Sequence, residues 1–75
     1  MRTFVVVTLS SEGASATQVT NKLMDLGFKT MLGSHDFVYY WDEDDVTPEN
    51  VIQFVDKVQT ELKGMNVFLQ FATSQ

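Results

Sequence analysis

The sequence predicts an α+β fold with the element order β-α-β-β-α-β: a four-stranded antiparallel sheet with two helices on one face. Three observations predict it. Two amphipathic segments each carry a start and a stop signal, apolar runs rich in β-branched and aromatic residues flank them, and the connections are short.

The first strand is residues 3–9, Thr3-Phe4-Val5-Val6-Val7-Thr8-Leu9, which is β-branched or aromatic apart from the closing leucine. Near-continuous apolarity points to a strand covered on both faces. A Ser/Gly loop, Ser10 to Ala14, follows. Ser15 then reads as an N-cap, and Gln18 three residues on completes a capping box. Val19, Leu23 and Leu26 form one helical stripe, so a helix is expected over 15–26. Gly27 is the left-handed stop, and Phe28 beyond it can touch Leu23.

Residues 28–32 read as a short strand and Gly33-Ser34 as a turn. Phe37-Val38-Tyr39-Tyr40-Trp41 is the second strong strand, ended by Asp42-Glu43-Asp44-Asp45. Thr47-Pro48-Glu49 starts a helix: an N-cap, a proline at the first helical position, and an acid near the positive end of the dipole. Val51, Val55, Val58 and Leu62 give its stripe, widened by Ile52 and Phe54, and Gly64 stops it. The last strand spans 67–72, and Thr73-Ser74-Gln75 is expected to fray. Right-handed crossovers place both helices on one face and make the first and third strands central. Residues 1–75 are thus read as a single ferredoxin-like domain.

A chain of 75 residues is short. Domains of this size bury only about 60% of the surface their unfolded chains expose. There is no cysteine, so disulfides and thiolate metal sites are excluded. A dense core or self-association must supply the stability. Five Lys and Arg stand against ten Asp and Glu, a net charge of −5. That balance argues against nucleic acid and against anionic membranes. The run Phe4–Val7 is too short for a signal peptide, and nothing approaches a membrane span. The expected setting is cytoplasmic, and no cofactor is called for.

Two helices cover one face of the sheet, and alternation shows the other to be apolar as well. The aliphatic sets are assigned to the helices, which are themselves rich in Val, Leu and Ile. The open face then carries Phe4, Val6, Phe37, Tyr39, Trp41 and Phe68. Each aromatic presents about 150–250 Å². Their sum exceeds the roughly 300–600 Å² of a typical monomer's largest apolar patch. Loops, a second copy of the chain, or another partner must cover such a surface. RNA-stacking sheets also use aromatics on these strands. Here only Arg2 and Lys29 lie near the strands, and the Lys/Arg-Gly-Phe pattern is absent.

Few groups suggest chemistry. His35 beside Asp36 has the make-up of an acid–base pair, with no nucleophile motif nearby. The acidic run at 42–45 lacks the glycine and spacing of a calcium loop. Ser10-Ser11-Glu12-Gly13 precedes a helix N-terminus but has no phosphate-binding lysine, and Glu12 repels anions. Met24, Met31 and Met65 read as core gap-fillers.

From Gly33 to Phe71 the chain resembles the RAM domain, the ligand-binding domain of leucine-responsive/AsnC regulators. The turn Gly33-Ser34-His35-Asp36 followed by Phe37-Val38 stands where that family has Gly-x-Tyr-Asp. His35 departs from the family's tyrosine, and Gly64-Met65-Asn66-Val67 is longer than its Gly-Val step. Phe4-Val5-Val6-Val7 also suits the family. No helix-turn-helix is present. The resemblance implies a homodimer through the sheet face and a small effector, such as an amino acid, near the turn. Gly33, His35, Asp36, Tyr39 and Trp41 would form that site. A protein-interaction module and a dimeric enzyme using His35 and Asp36 stay open as alternatives. With Trp41 on the open face, Trp41→Ser is expected to leave a folded monomer.

Overall fold

The computed structural model describes residues 1–31, 33, 36–42 and 46–74. β1 (Arg2–Leu9), α1 (Ala16–Asp25), β2 (Lys29–Thr30), β3 (Phe37–Tyr40), α2 (Pro48–Glu61) and β4 (Val67–Ser74) follow one another in the predicted order. The four strands form one antiparallel sheet in the order β2-β3-β1-β4, so β1 and β3 are central. This is the ferredoxin-like layout.

β1 carries most of the pairing. Its register with β4 runs unbroken from Arg2 opposite Ser74 to Leu9 opposite Val67. Thr73 and Ser74, expected to fray, are therefore strand residues. The Thr73 hydroxyl explains part of this: its Oγ1 lies 2.8 Å from Thr3 Oγ1. β2 is shorter than predicted, because Phe28 leaves the sheet to enter the core.

The helix signals act as read. Ser15 Oγ accepts from the Gln18 N–H at 3.2 Å, and Gln18 Oε1 accepts from the Ser15 N–H at 2.9 Å. At the other end of α1, Gly27 takes φ 102°. The Phe28 N–H donates to Leu23 O and the Gly27 N–H to Met24 O, both at 3.0 Å. That pair of bonds is the Schellman motif. Thr47 Oγ1 caps α2 by accepting from the Asn50 N–H at 3.1 Å. α2 ends at Glu61, and a turn closed by Met65 N–H to Leu62 O leads through left-handed Gly64 and Asn66 into β4.

Val5, Val19, Leu23, Phe28, Val58 and Leu62 are buried between sheet and helices. Ile52 and Met24, expected to join them, are 62% and 52% exposed. Ile52 widens the stripe of α2 beyond the angle the sheet can cover. Met24 lies on the outer side of α1, next to the buried Leu23. Lys22 Nζ and Glu61 Oε2, 3.2 Å apart, link the two helices at the surface. Among the described residues no helix is long and apolar enough to cross a membrane.

Candidate functional site

Strand alternation makes β3 the element that decides which side chains the open face presents. Phe37 stands opposite Val5, and Tyr39 opposite Thr3. Cross-strand partners share a face, and Val5 belongs to the core. Phe37 and Tyr39 therefore point toward the helices, and Trp41 follows them. The Tyr39 ring lies 4.3 Å from the Phe54 ring of α2 and 5.7 Å from Phe28, while Trp41 lies 5.2 Å from Phe54. Trp41 Nε1–H donates to Thr3 Oγ1 at 2.7 Å.

The expectation that Phe37, Tyr39 and Trp41 occupy the open face is thus corrected. The physical reason is that the helices do not present only aliphatic side chains to the sheet. Phe28, delivered by the end of α1, and Phe54 of α2 build an aromatic layer, and edge or tilted ring packing selects aromatics opposite them. Gly27 belongs to the same arrangement: a Cβ there would sit 2.9 Å from the Tyr39 ring. The Gly27-Phe28 pair and Phe54 were the sequence signals for this layer.

The open face remains apolar with a changed membership. Phe4, Val6 and Phe68 lie on it as expected, joined by Val38 and Tyr40. Phe68 is 79% and Tyr40 57% exposed, whereas Val38 is buried. Arg2 sits over the Phe4 ring, 5.6 Å from its centroid, and Lys29 over the Tyr40 ring, at 5.9 Å. Arg2 is opposite Tyr40 and Lys29 opposite Val38, so the two cations share one end of the sheet. Phe68, opposite Thr8, stands at the other end.

The predicted ligand turn divides into separate parts. Gly33 has φ 120°, and among the described residues no atom would lie within 4 Å of a Cβ added there. The Asp36 carboxylate accepts from the Val7 N–H at 2.8 Å, and the Asp36 N–H donates to Val5 O. That side chain extends the β1–β3 ladder past the end of β3. Tyr39 and Trp41 meet each other, ring centroids 5.0 Å apart, but on the helix side. His35 and Ser34 lie outside the described residues, as do Glu43, Asp44 and Asp45 of the acidic run. Among the described residues no cluster of His, Cys, Asp and Glu is placed to hold a metal ion.

The loop before α1 is more constrained than its composition suggests. The Ala14 N–H donates to Met65 O at 3.0 Å, and Asn66 Nδ2 to Ser10 Oγ at 3.4 Å. This ties the β1–α1 loop to the α2–β4 connection. A Cβ on Gly13 would lie 2.4 Å from Met65 O. Two shallow concavities of about 310 and 350 Å³ flank the start of β4, and Asn66, Val67 and Phe68 line both.

Comparisons with family models, with curated proteins and with solved structures find no match to this chain. Fold and surface together define a ferredoxin-like α+β sandwich with one apolar sheet face on the side away from the two helices.

Proposed function

We propose that the chain is a small binding module that works as a homodimer, joined through the sheet face opposite the helices. The observation that carries this reading is the exposure of Phe68 and Tyr40, 79% and 57%, on that face. Burying a side chain such as Phe stabilises by about 1.5–3 kcal/mol. Phe4, Val6 and Tyr40 from each of two copies, with Phe68 beside them, supply an apolar contact centre. Arg2 and Lys29 at one end supply a polar rim, the usual anatomy of an interface. A second copy fits because the strands carry no carboxylate.

Effector binding at the 33–36 turn, as the RAM resemblance implies, has less support. Asp36 holds Val7, and the aromatic walls belong to the core. The association reading is the better supported. Its test is the native mass in solution, measured by sedimentation for the wild type and for Tyr40→Ser. The variant is expected to fold normally and to halve the mass. A wild type that stays monomeric at high concentration overturns the reading, and so does a variant of unchanged mass.

A further inference from the structure

The two edges of the sheet are unlike. The β2 edge is two residues long and carries Lys29. The β4 edge is eight residues long, Val-Phe-Leu-Gln-Phe-Ala-Thr-Ser, with no charge, proline or glycine. Natural sheets protect their edges with short strands, charges, prolines or bulges. β2 uses two of these devices. β4 uses none, and its register with β1 is continuous through all eight residues.

We propose that β4 pairs antiparallel with β4 of a second copy, about a two-fold axis through Gln70. The product is one continuous eight-stranded sheet with four helices on one side. The occupant is a second copy because the strand is its own complement. Directly opposed residues share a face, so the axis must pass through a residue. Centred on Gln70, the pairing sets Gln70 against Gln70, Phe68 against Ala72, Leu69 against Phe71, and Val67 against Thr73. Two amides can exchange hydrogen bonds, a large ring meets a small methyl, and an aliphatic chain meets an aromatic. Moving the axis to Phe71 sets Phe68 against Ser74 and Leu69 against Thr73. Moving it to Leu69 sets Phe68 against Gln70. The Phe71 axis opposes apolar to polar side chains at three positions, Gln70 against Ala72 included. The Leu69 axis pairs only residues 67–71 and sets the most exposed ring against an amide. The Gln70 axis has one apolar-to-polar opposition, between the β-branched Val67 and Thr73. Gln70 and Ala72 are exposed, so their side chains are free to meet a second copy. β4 itself carries no Asp or Glu, so the two edges meet without a carboxylate of their own between them.

The edge contact does not rest on the face contact. Its axis runs perpendicular to the sheet, whereas that of a face-to-face dimer lies parallel to it. Where both form, perpendicular two-folds close into a tetramer.

The experiment uses Gln70→Lys and Gln70→Glu, each checked for folding by circular dichroism. Like charges directly opposite destabilise a strand pair, and opposite charges support it. Each variant alone is expected to halve the native mass, and an equimolar mixture to restore it. Hydrogen exchange should show protection of alternate β4 amides lost and regained in parallel. An unchanged mass in both single variants overturns the edge pairing, as does a mixture that stays at the lower mass. A mass halved by Tyr40→Ser and untouched by either Gln70 variant overturns the edge contact and leaves the face contact standing. Gln70 lies opposite Val6 and so shares the open face, which leaves the amides to decide the reverse pattern. Mass lost together with protection of the β4 N–H groups that point away from β1 overturns the face contact alone. Mass lost with that protection unchanged overturns the edge pairing.

Discussion

Trp41 and Thr3 meet between the two central strands: the indole Nε1–H donates to the threonine hydroxyl at 2.7 Å. The same hydroxyl lies 2.8 Å from that of Thr73, so one polar chain crosses β3, β1 and β4 on the helix side. Thr3 is fully buried. Its hydroxyl supplies the partner that the indole N–H of the half-buried Trp41 needs.

Thr3→Val keeps the shape and removes that acceptor. The indole N–H and the Thr73 hydroxyl lose their common partner. Trp41 is half-buried and Thr73 exposed, so water takes up part of the loss and the cost falls near the lower end of the about 1–3 kcal/mol of a fully buried, unsatisfied donor. Thr3→Ser keeps the oxygen and should retain most of the stability. Urea unfolding of the two variants, followed by Trp41 fluorescence, measures the difference.

Trp41→Ser and Tyr40→Ser should differ in kind although the residues are neighbours. Trp41 packs against Tyr39 and Phe54, and its loss opens the aromatic layer. Half burial puts the cost near the lower end of the ~3–5 kcal/mol typical of large aromatic truncations. Tyr40 is 57% exposed and touches Lys29. A surface change of that kind stays within about 0.5–1 kcal/mol. The comparison is made below the concentration at which copies associate. Equal losses for the two variants would show that the third strand does not alternate as described.

Gly13→Ala and Gly33→Ala test two different demands on glycine. At Gly13 an added methyl meets Met65 O at 2.4 Å and Asn66 Cβ at 2.9 Å, so backbone must move and the Ala14–Met65 bond is strained. Overpacking of this sort costs typically about 1–3 kcal/mol. At Gly33 no atom of the described residues would meet the methyl, and it is the φ of 120° that resists. Relieving backbone clash by mutating Met65 is not available, so thermal unfolding should show the Gly13 variant falling further whatever residue occupies 65.

Asp36→Asn should be nearly neutral, and Asp36→Ala should lose about 0.5–1.5 kcal/mol. The amide oxygen can still accept from the Val7 N–H, which the methyl cannot. Asp36 is exposed, so water replaces part of the lost bond. Exchange of the Val7 amide, read by NMR, reports the contact directly: fast in the alanine variant, slow in the other two. Equal protection in all three would remove the ladder role assigned to this carboxylate.

The helices were legible to within a residue because local chemistry defines their ends. Ser15 with Gln18, Gly27 with Phe28, and Thr47 with Pro48 each act through neighbours within one turn. The phase of β3 was not legible in the same way. Phe37, Val38, Tyr39, Tyr40 and Trp41 are apolar on both sides, so alternation alone leaves two equivalent choices. The choice is made by Phe28 and Phe54, which come from elsewhere in the chain. The length of β4 was missed for a related reason. Thr73 and Ser74 have no local strand signal, and their order comes from Thr3 and Arg2 across the sheet. At the candidate site, Gly33 and Asp36 could be named as turn residues. That the Asp36 carboxylate reaches Val7 depends on β1, nearly thirty positions earlier.

The pairing of β1 with β4 also orders events in time. Thr3 bonds to a residue 70 positions further along the chain. Closing so long a loop is entropically costly and slows folding relative to local contacts. On the ribosome, β1 can receive β3 as soon as α1 and the following turn have emerged. Its other side stays bare until Val67–Ser74 has been translated. For that interval the valine-rich central strand is itself an open edge, and it is then that a nascent chain of this protein most needs either speed or a chaperone.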